Sequence, residues 1–597
     1  MDVSSAHDWC LINRRMVAKA IAELNFEEVV AIVPHATGFR MDLKCGVSYR
    51  FKAWMTIWNF PRIDADSLER RAAHDGPWQA VFSAGQFFLD SQAETGMDDI
   101  ILGNFLEEMQ RTLFADLKLL QVQRRYTVAE MIAMDGDSLQ GLLDGHPKAL
   151  LNKGRVGWGS SDIKRYAPES FPAFQLFWVA VHHSAAQFTR HPHWTRERLL
   201  AESLQEPERL RLEQFWMRTG LDWDQYELMP LHPWQWEHVI EQQFAEAIVT
   251  QELVPLGSFG DRYRPQTSLR TMSNVDRPER LQLKLALSIL NTSCVRGLPA
   301  QYVSIAPELA QWLADLCEAD ELLQNAGTKV LRDIASVHCQ HRIFGQVKEA
   351  PYRYHEYLGA VWREHPKAQL EDDEQAVLTA AFFQKDYLGE SLLAQWIHKS
   401  GLDIPSWLKA YAERVIVPLY HLQCKYGVGV VAHGQNIVLR LRKGRPVGLF
   451  LKDLQGDLRL VDEDLPELQT LAPSIRQKLT RLPAHHLIQD LQTGHLITVL
   501  RFMSATLQEA TGFAEQNFYQ IIAVCLQNYQ KRQDEIQDRF QSRSLLKASM
   551  PRILINRVRF QIGYADHAER PRPTLGTELL NPLHRHEAGD HHVSAYL

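Results

Sequence analysis

Apolar residues recur at the helical period near the start of the chain. Trp9, Leu11, Ile12, Met16, Val17, Ile21 and Leu24 predict a helix over residues 8–26. Residues 28–60 change to short apolar runs, VVAIVPHA and VSYRFKAWMTIW, parted by turn residues, and predict a small antiparallel sheet. The helical period returns between Thr95 and Asp135, most clearly in ILGNFLEEMQRTLFADLKLLQVQRR, whose charges fall on one side. FPAFQLFWVAVHH (171–183) reads as a buried strand, and 196–218 and 235–249 read as helices. His232-Pro233-Trp234 places Pro at the first helical position of the second. SLRTM and LQLKLALSI predict paired strands joined by NVDRPER, with Ser268 and Arg270 on one strand face because the side-chain period is two. Residues 307–328, 367–408 and 474–513 are predicted helical, EDDEQ at 371–375 being a solvated helix start. INRVRFQIGYA predicts a short strand, and the Pro-, His- and Gly-rich C-terminal segment a loose tail.

One stretch combines both periods. Between Tyr411 and Leu460 an apolar helical pattern runs into Gly427, and two β-rich runs follow, broken by Lys443-Gly444-Arg445-Pro446. Around them sit His433, Gln435, Asn436, Lys452, Asp453 and Asp457, groups that are costly in a plain core unless hydrogen-bonded. Asp453 ends the apolar run LFLK, where a carboxylate reaches a metal ion while its backbone stays in the sheet. Asn436 offers an amide oxygen, and Mg2+ prefers such hard oxygen ligands together with phosphate oxygens. His433 is suited to donate to a phosphate or hold a substrate carboxylate, and Gln435 to position it. Asp457 is a turn residue or an outer contact of the metal. The competing reading is that all these groups cap a hairpin.

Two other stretches concentrate cations. DGHPKALLNKGRVGWGSSDIKRYAPES (144–170) sets Lys153, Arg155, Lys164 and Arg165 among Gly154, Gly157 and Gly159, so that backbone N–H groups and cations can meet an anion. It is not the GxxxxGK[ST] loop, and the competing reading is an exposed basic turn stabilised by His146. In the second, Lys284 stands between Leu283 and Leu285, so its ammonium must find a counter-anion or reach out of apolar surroundings. Arg270, Lys284 and Arg296 together suit a polyphosphate, with surface salt bridges as the alternative. Arg353, His355, Glu356 and Arg363 form a further candidate polar cluster.

Composition narrows the field. A chain of 597 residues exceeds what one core usually serves, so two or three lobes are expected. Lys plus Arg number 65 and Asp plus Glu 72, a net charge of −7, which gives no global attraction to nucleic acid or anionic lipid. The seven cysteines contain no CxxC pair and point to a reducing compartment. No run approaches the roughly 18 apolar residues of a membrane span, and the N-terminal pattern carries charges unlike a signal peptide; a cytoplasmic location is expected. His485, His486 and His495 match no zinc spacing, and HExxH is absent.

The order HGQN, β-run, Lys-Asp follows small-molecule phosphotransferases in outline, but position 435 is Gln where those enzymes carry the catalytic Asp. Without a base there, attack by an already ionised carboxylate on the α-phosphorus fits better than γ-phosphoryl transfer. At this point the chain resembles the siderophore synthetases that work without a nonribosomal peptide synthetase. The motifs are DGHPKALLNKGRVGWG, YAPE, LHPWQW, SLRT, KLALSILNTSCVRG, PYRYHEYLG, VPLYHL, YGVGVVAHGQNIVL, LKDLQGDLRLV and DLQTGHLITVLRF, spread over nearly the whole chain. The resemblance implies an α+β, hand-like thumb, fingers and palm with mixed and antiparallel sheets around a central ATP cleft. The corresponding lobes would be 1–143, 144–408 and 409–597. It implies ATP and Mg2+, citrate or a citryl-hydroxylysine derivative, N6-acetyl-N6-hydroxylysine as amine, and a homodimer. Carried over, Ser268, Arg270, Lys284 and Arg296 match nucleotide and phosphate contacts. His433, Gln435 and Asn436 match a second ATP cluster, Asp453 with Asn436 the metal ligands, and His146, Lys153 and Arg155 the basic loop near ATP and the carboxylate substrate. Arg270, Lys284 and His433 would be the catalytic groups. The family's glutamate two residues before the His is Val431 here. A kinase or a non-enzymatic ATP-binding module remains the alternative class.

Overall fold

The computed structural model describes residues 3–584 apart from 74, 293, 565 and 567–573. Residues 585–597, part of the segment expected to be a loose tail, lie outside the described residues. The helices Val3–Phe26 and Asp99–Gln123 pack together beside a five-stranded antiparallel sheet. Ile12, Val17, Ile21 and Leu24 of the first helix meet Tyr49, Phe51, Phe87, Phe105 and Leu113 in one core. The Asp98 carboxylate starts the second helix by accepting the Ile101 N–H at 2.7 Å.

An eight-stranded antiparallel sheet follows. Its strands, side by side, are Tyr226–Leu231, Phe174–His182, Leu253–Pro265, Thr271–Asn274, Gln282–Leu285, Gly359–Arg363, Asp333–Cys339 and Ala186–Arg190. Alternation decides its two faces. Leu283, Leu285, Val337 and Trp362 pack with Trp236, Ile240 and Phe244 in a second core. Lys284, Gln282 and Arg363 fall on the opposite face, with Gln282 paired directly across from Arg363 and Lys284 across from Val361.

The third and largest core surrounds a four-stranded mixed sheet, in which Thr328–Val330 runs parallel to Arg445–Leu451, followed by Ile437–Arg442 and Glu374–Leu378. Helices Leu392–Ser400, Ile404–Tyr411, Val417–Tyr426, Arg501–Thr511 and Glu515–Lys531 contribute to the same core. Lys443 and Gly444, at φ 50° and 85°, make the tight hairpin turn between its central strands. The architecture is therefore α+β with both antiparallel and mixed sheets.

Several local expectations change. Residues 367–408 are not one helix. Glu374–Leu378 is a strand on Ile437–Arg442, and Glu374 binds Arg440 and Arg442, so the acidic run is not a solvated helix start. Residues 196–218 divide into Arg196–Ser203 and Glu206–Thr219. Asn556–Ile562 is a helix, and the strand lies just before it, at Ser549–Leu554. The cause is distant in sequence: the Glu27 carboxylate accepts the N–H groups of Ile555, Asn556 and Arg557 and caps that helix start. Among the described residues no helix is long and apolar enough to cross a membrane.

Candidate active site

Lys284 finds the counter-anion that its sequence position demands. Its Nζ donates to Asp453 Oδ1 at 2.6 Å, and Arg363 Nη1 donates to the same oxygen at 2.8 Å. Arg363 Nε donates to Asp333 Oδ1 at 2.7 Å, and Gln455 donates to the other Asp333 oxygen at 2.8 Å. Lys284, Asp333, Arg363 and Asp453 are all buried, and Gln455 is half-buried. Burial pushes Lys284 down to about 8, against the pull of Asp453. Burial pushes Asp453 upward, but Arg363, Lys284 and Lys452 outweigh it and hold the carboxyl well below its usual range.

Asp453 reaches this position by leaving the sheet. The strand ends at Leu451, and Asp453 adopts φ 61°, ψ 43°, a left-handed conformation that aspartate tolerates better than most residues but that costs about 1–3 kcal/mol. The expectation that its backbone continues the strand is thus corrected, and the strained turn is what aims the carboxylate at Lys284. Asn436 donates its Nδ2 to Val431 O and to Asp457 Oδ2, both at 3.1 Å. These contacts use Asn436 Nδ2 and Asp453 Oδ1, so Asn436 Oδ1 and Asp453 Oδ2 are the oxygens that remain. Two hard oxygens of this kind suit Mg2+. His433 Nδ1 accepts the Gln435 N–H at 3.2 Å, which makes Nε2–H the donor of a neutral ring. Burial lowers the His433 pKa against the opposing pull of Asp457 and Asp453.

Ser268 and Arg270 do not share a strand face. They flank Leu269, at φ 68°, in the turn before Thr271, where Ser268 Oγ accepts the Thr271 N–H at 3.1 Å. The turn swings Arg270 toward the next hairpin, where its Nη1 donates to Gly297 O. Gly297 must be glycine: a Cβ there would lie 2.2 Å from Glu356 Cβ. Arg296 ends the short strand Cys294–Arg296 and keeps a buried Nε with no hydrogen-bond partner. Arg363 Nη2 is a second such buried donor. Unmet buried donors are costly and a bound anion would meet them, but the same kind of unmet donor occurs on Arg155 and other arginines of the fold, so it is the shared Asp453 oxygen that sets this centre apart.

Comparison with known proteins decides the lineage. The sequence model of the IucA / IucC family matches residues 137–384, and that described as ferric iron reductase FhuF-like transporter matches residues 405–567. The chain is 38% identical over 580 residues to aerobactin synthase of Escherichia coli, covering 96% of this chain and 98% of that one. The chain belongs to the IucA/IucC family of siderophore synthetases. A rhizobactin siderophore biosynthesis protein of Rhizobium meliloti, RhbF, is 34% identical over 582 residues, 96% of each chain. The solved aerobactin synthetase IucC of Klebsiella pneumoniae superposes with a TM-score of 0.87 at 35% identity, covering 98% of this chain and 100% of that one.

Within this IucA/IucC-family fold the basic loop is engaged internally. Lys153 donates to Asp116 at 2.7 Å and to the Asp144 carbonyl. Arg155 forms a buried two-pronged pair with Glu169 at 2.5 and 3.0 Å. His146 Nδ1 accepts the Lys148 and Ala149 N–H groups at 3.2 and 2.9 Å. Burial pushes His146 down to about 3, and the nearby His433 adds to the shift, so the loop does approach the HGQN segment. The polar cluster expected at 353–363 is dispersed. Arg353 binds Asp566 and the His355 carbonyl meets His338, whereas Glu356 packs against Gly297 beside Arg270 and Arg363 joins Lys284 and Asp453. Asp333 is the residue that sequence reasoning missed, and Arg363 stands with Lys284 rather than with the neighbours it was expected to join. The signal for Arg363 was present, since a lone arginine closing the apolar strand GAVWR raises the same question as Lys284.

Proposed function

We propose that the chain is an ATP-dependent synthetase that adenylates a carboxylate of citrate or of N2-citryl-N6-acetyl-N6-hydroxylysine. It then condenses the acyl group with the amine of N6-acetyl-N6-hydroxylysine, releasing AMP and pyrophosphate; citrate gives the citryl monoamide, and the citryl monoamide gives aerobactin. The observation that carries the reading is the buried Lys284–Asp453–Arg363 cluster beside the His433–Asn436 loop, with unmet donors on Arg296 and Arg363. The likeness to aerobactin synthase over nearly the full length supports it.

The carboxylate oxygen attacks the α-phosphorus, the bond from that phosphorus to the bridging oxygen breaks, and pyrophosphate leaves with the electron pair. Ser268, Arg270, Lys284 and Arg296 are assigned to the phosphates, where fixed cations stabilise the developing charge. His433 Nε2–H and Gln435 orient the nucleotide or the carboxylate. Asp453 and Asn436 would hold Mg2+, which when bound neutralises phosphate charge. The amine nitrogen then attacks the acyl carbon, AMP departs, and the nitrogen loses its proton. No carboxylate base is needed for the first step, which agrees with Gln435 and with the engagement of Asp457 by Asn436. His146, Lys153 and Arg155 frame the site, and a homodimer is proposed with the same function.

A second reading keeps the chemistry and changes the amine to another hydroxamate or a diamine; the 27% identity over 610 residues to the citryl-spermidine/3,4-dihydroxybenzoyl-citryl-spermidine:spermidine ligase of Bacillus anthracis favours keeping it. Mass spectrometry of the products from ATP, citrate or its citryl monoamide, and a panel of amines tests both. AMP, pyrophosphate and an amide with the hydroxylysine derivative support the first reading. Amide with another amine alone supports the second, ADP indicates a kinase, and no nucleotide product indicates a binding module.

A further inference from the structure

The loop that carries His433, Gln435 and Asn436 is gripped from behind by residues far from it in sequence. Val431 N–H donates to Asp457 O at 3.0 Å, and Ala432 N–H donates to Asp490 O at 3.2 Å. The Ala432 carbonyl meets His495 Nδ1 at 3.0 Å, and His495 Nε2 meets the Tyr411 hydroxyl at 2.8 Å. A carbonyl only accepts, so Nδ1 carries the proton and Nε2 accepts from Tyr411. The two rings stack at 6.0 Å and 16°, and both residues are fully buried. Burial pushes His495 down to about 4, which agrees with a neutral ring that stays in this tautomer.

The local backbone is built around this contact. Tyr411 immediately precedes the π-helical turn Ala412–Ile416, and His495 lies within the π-helical segment Gln492–Leu500. Wide turns of this kind are rare and recur at functional sites. Gly494 lets the helix touch the loop backbone: a Cβ there would stand 2.8 Å from Ala432 N. Neither His495 nor Tyr411 faces the Lys284–Asp453 centre through any hydrogen bond among the described residues, so their effect on chemistry must pass through Ala432.

We propose that His495, with its tautomer set by Tyr411, is a positioning residue that holds the His433–Asn436 loop in its nucleotide-binding geometry. The inference rests on the reading that this loop binds ATP. Two substitutions separate its two bonds. In His495→Asn the amide nitrogen stands where Nδ1 stood and keeps the donation to Ala432. In His495→Gln the amide stands where Nε2 stood and keeps only the Tyr411 side. Each loses one buried hydrogen bond, so a merely structural role predicts equal losses of thermal stability, loop protection and ATP affinity.

The measurements are hydrogen exchange over residues 428–438 and calorimetric binding of ATP with Mg2+, both on the full chain. The expected result is faster loop exchange and at least tenfold weaker ATP binding in His495→Gln, with His495→Asn within about threefold of the parent and Tyr411→Phe between them. Equal behaviour of the Asn and Gln variants overturns the proposal, as does loop loosening with unchanged ATP affinity. Should the parent chain bind no ATP, the adenylation reading falls, while the exchange contrast still decides whether His495 holds the loop. If His495→Gln does not fold, Tyr411→Phe carries the test: unchanged loop exchange and ATP affinity overturn the proposal.

Discussion

Arg155 and Lys284 are both cations with no more than 5% of their surface exposed, both predicted from sequence to meet an anion, and both paired with a carboxylate. They differ in what the pairing leaves over. Arg155 and Glu169 form a one-to-one, two-pronged pair that leaves only the Arg155 Nε unmet, and Lys153 is held by Asp116 and a carbonyl. At Lys284 a single Asp453 oxygen serves two cations, and the Lys284 pKa is driven down to about 8. A buried ion pair is weak evidence of function by itself. One carboxylate oxygen shared by two buried cations, with the ammonium's pKa lowered, is stronger evidence, because a bound anion would stabilise the charged lysine.

The largest expected effect comes from testing that difference directly. Lys284→Met should lower kcat/KM by about 100- to 1000-fold while leaving the protein folded, since it removes a poorly tolerated ammonium and leaves Asp453 paired with Arg363. Steady-state kinetics alongside thermal melting read both halves; wild-type kinetics would place Lys284 with Arg155 as scaffold.

The mirror-image change is Arg155→Met. Removing one partner of a buried pair leaves Glu169 uncompensated and should cost about 3–5 kcal/mol in denaturant unfolding, with most of it recovered in the double variant Arg155→Met/Glu169→Leu. ATP affinity per folded molecule should stay near that of the parent. A selective loss of affinity without loss of stability would erase the distinction drawn between the two regions.

A smaller effect lies in pH. The folded Lys284 pKa is about 8, against 10.5 for an unperturbed lysine. Its cationic form binds phosphate, so KM for ATP should rise as pH passes through 8, and Lys284→Arg should flatten that rise. Stability should respond with the opposite sign. The unfolded chain holds this proton more tightly, so the Lys284 contribution to stability improves between pH 8 and 10.5. The smallest effect is expected at His485 and His486, exposed neighbours outside the charged centre, where alanine should change stability by less than about 0.5 kcal/mol and leave activity intact.

How much of this was legible follows the range of the interactions. Lys284 declared itself because a lone charge inside LQLKLALSI cannot be indifferent to its surroundings. The helix ending at Gly427 and the hairpin turn at Lys443-Gly444 were equally local signals, and both stand. Asp453 was located as a candidate, but not its left-handed turn, which goes with bonds to Lys284 and Arg363, both far from it in sequence. Arg363 carried the same signal as Lys284 and was grouped instead with its sequence neighbours, of which Arg353 and His355 are engaged elsewhere. The segment 555–565 looked like a strand because its helix depends on Glu27, more than five hundred residues away. The HGQN segment could be read for its side chains, whereas its support by Tyr411 and His495 required the two π-helical turns to be seen.

The account's central claim is that a substrate carboxylate becomes bonded to the α-phosphorus. The direct test is to supply citrate or its citryl monoamide with 18O in its carboxylates, together with ATP, Mg2+ and the amine, and to weigh the AMP released. Transfer of one 18O atom into AMP, with unlabelled pyrophosphate, is the predicted result. Unlabelled AMP, or ADP with label in inorganic phosphate, would contradict it.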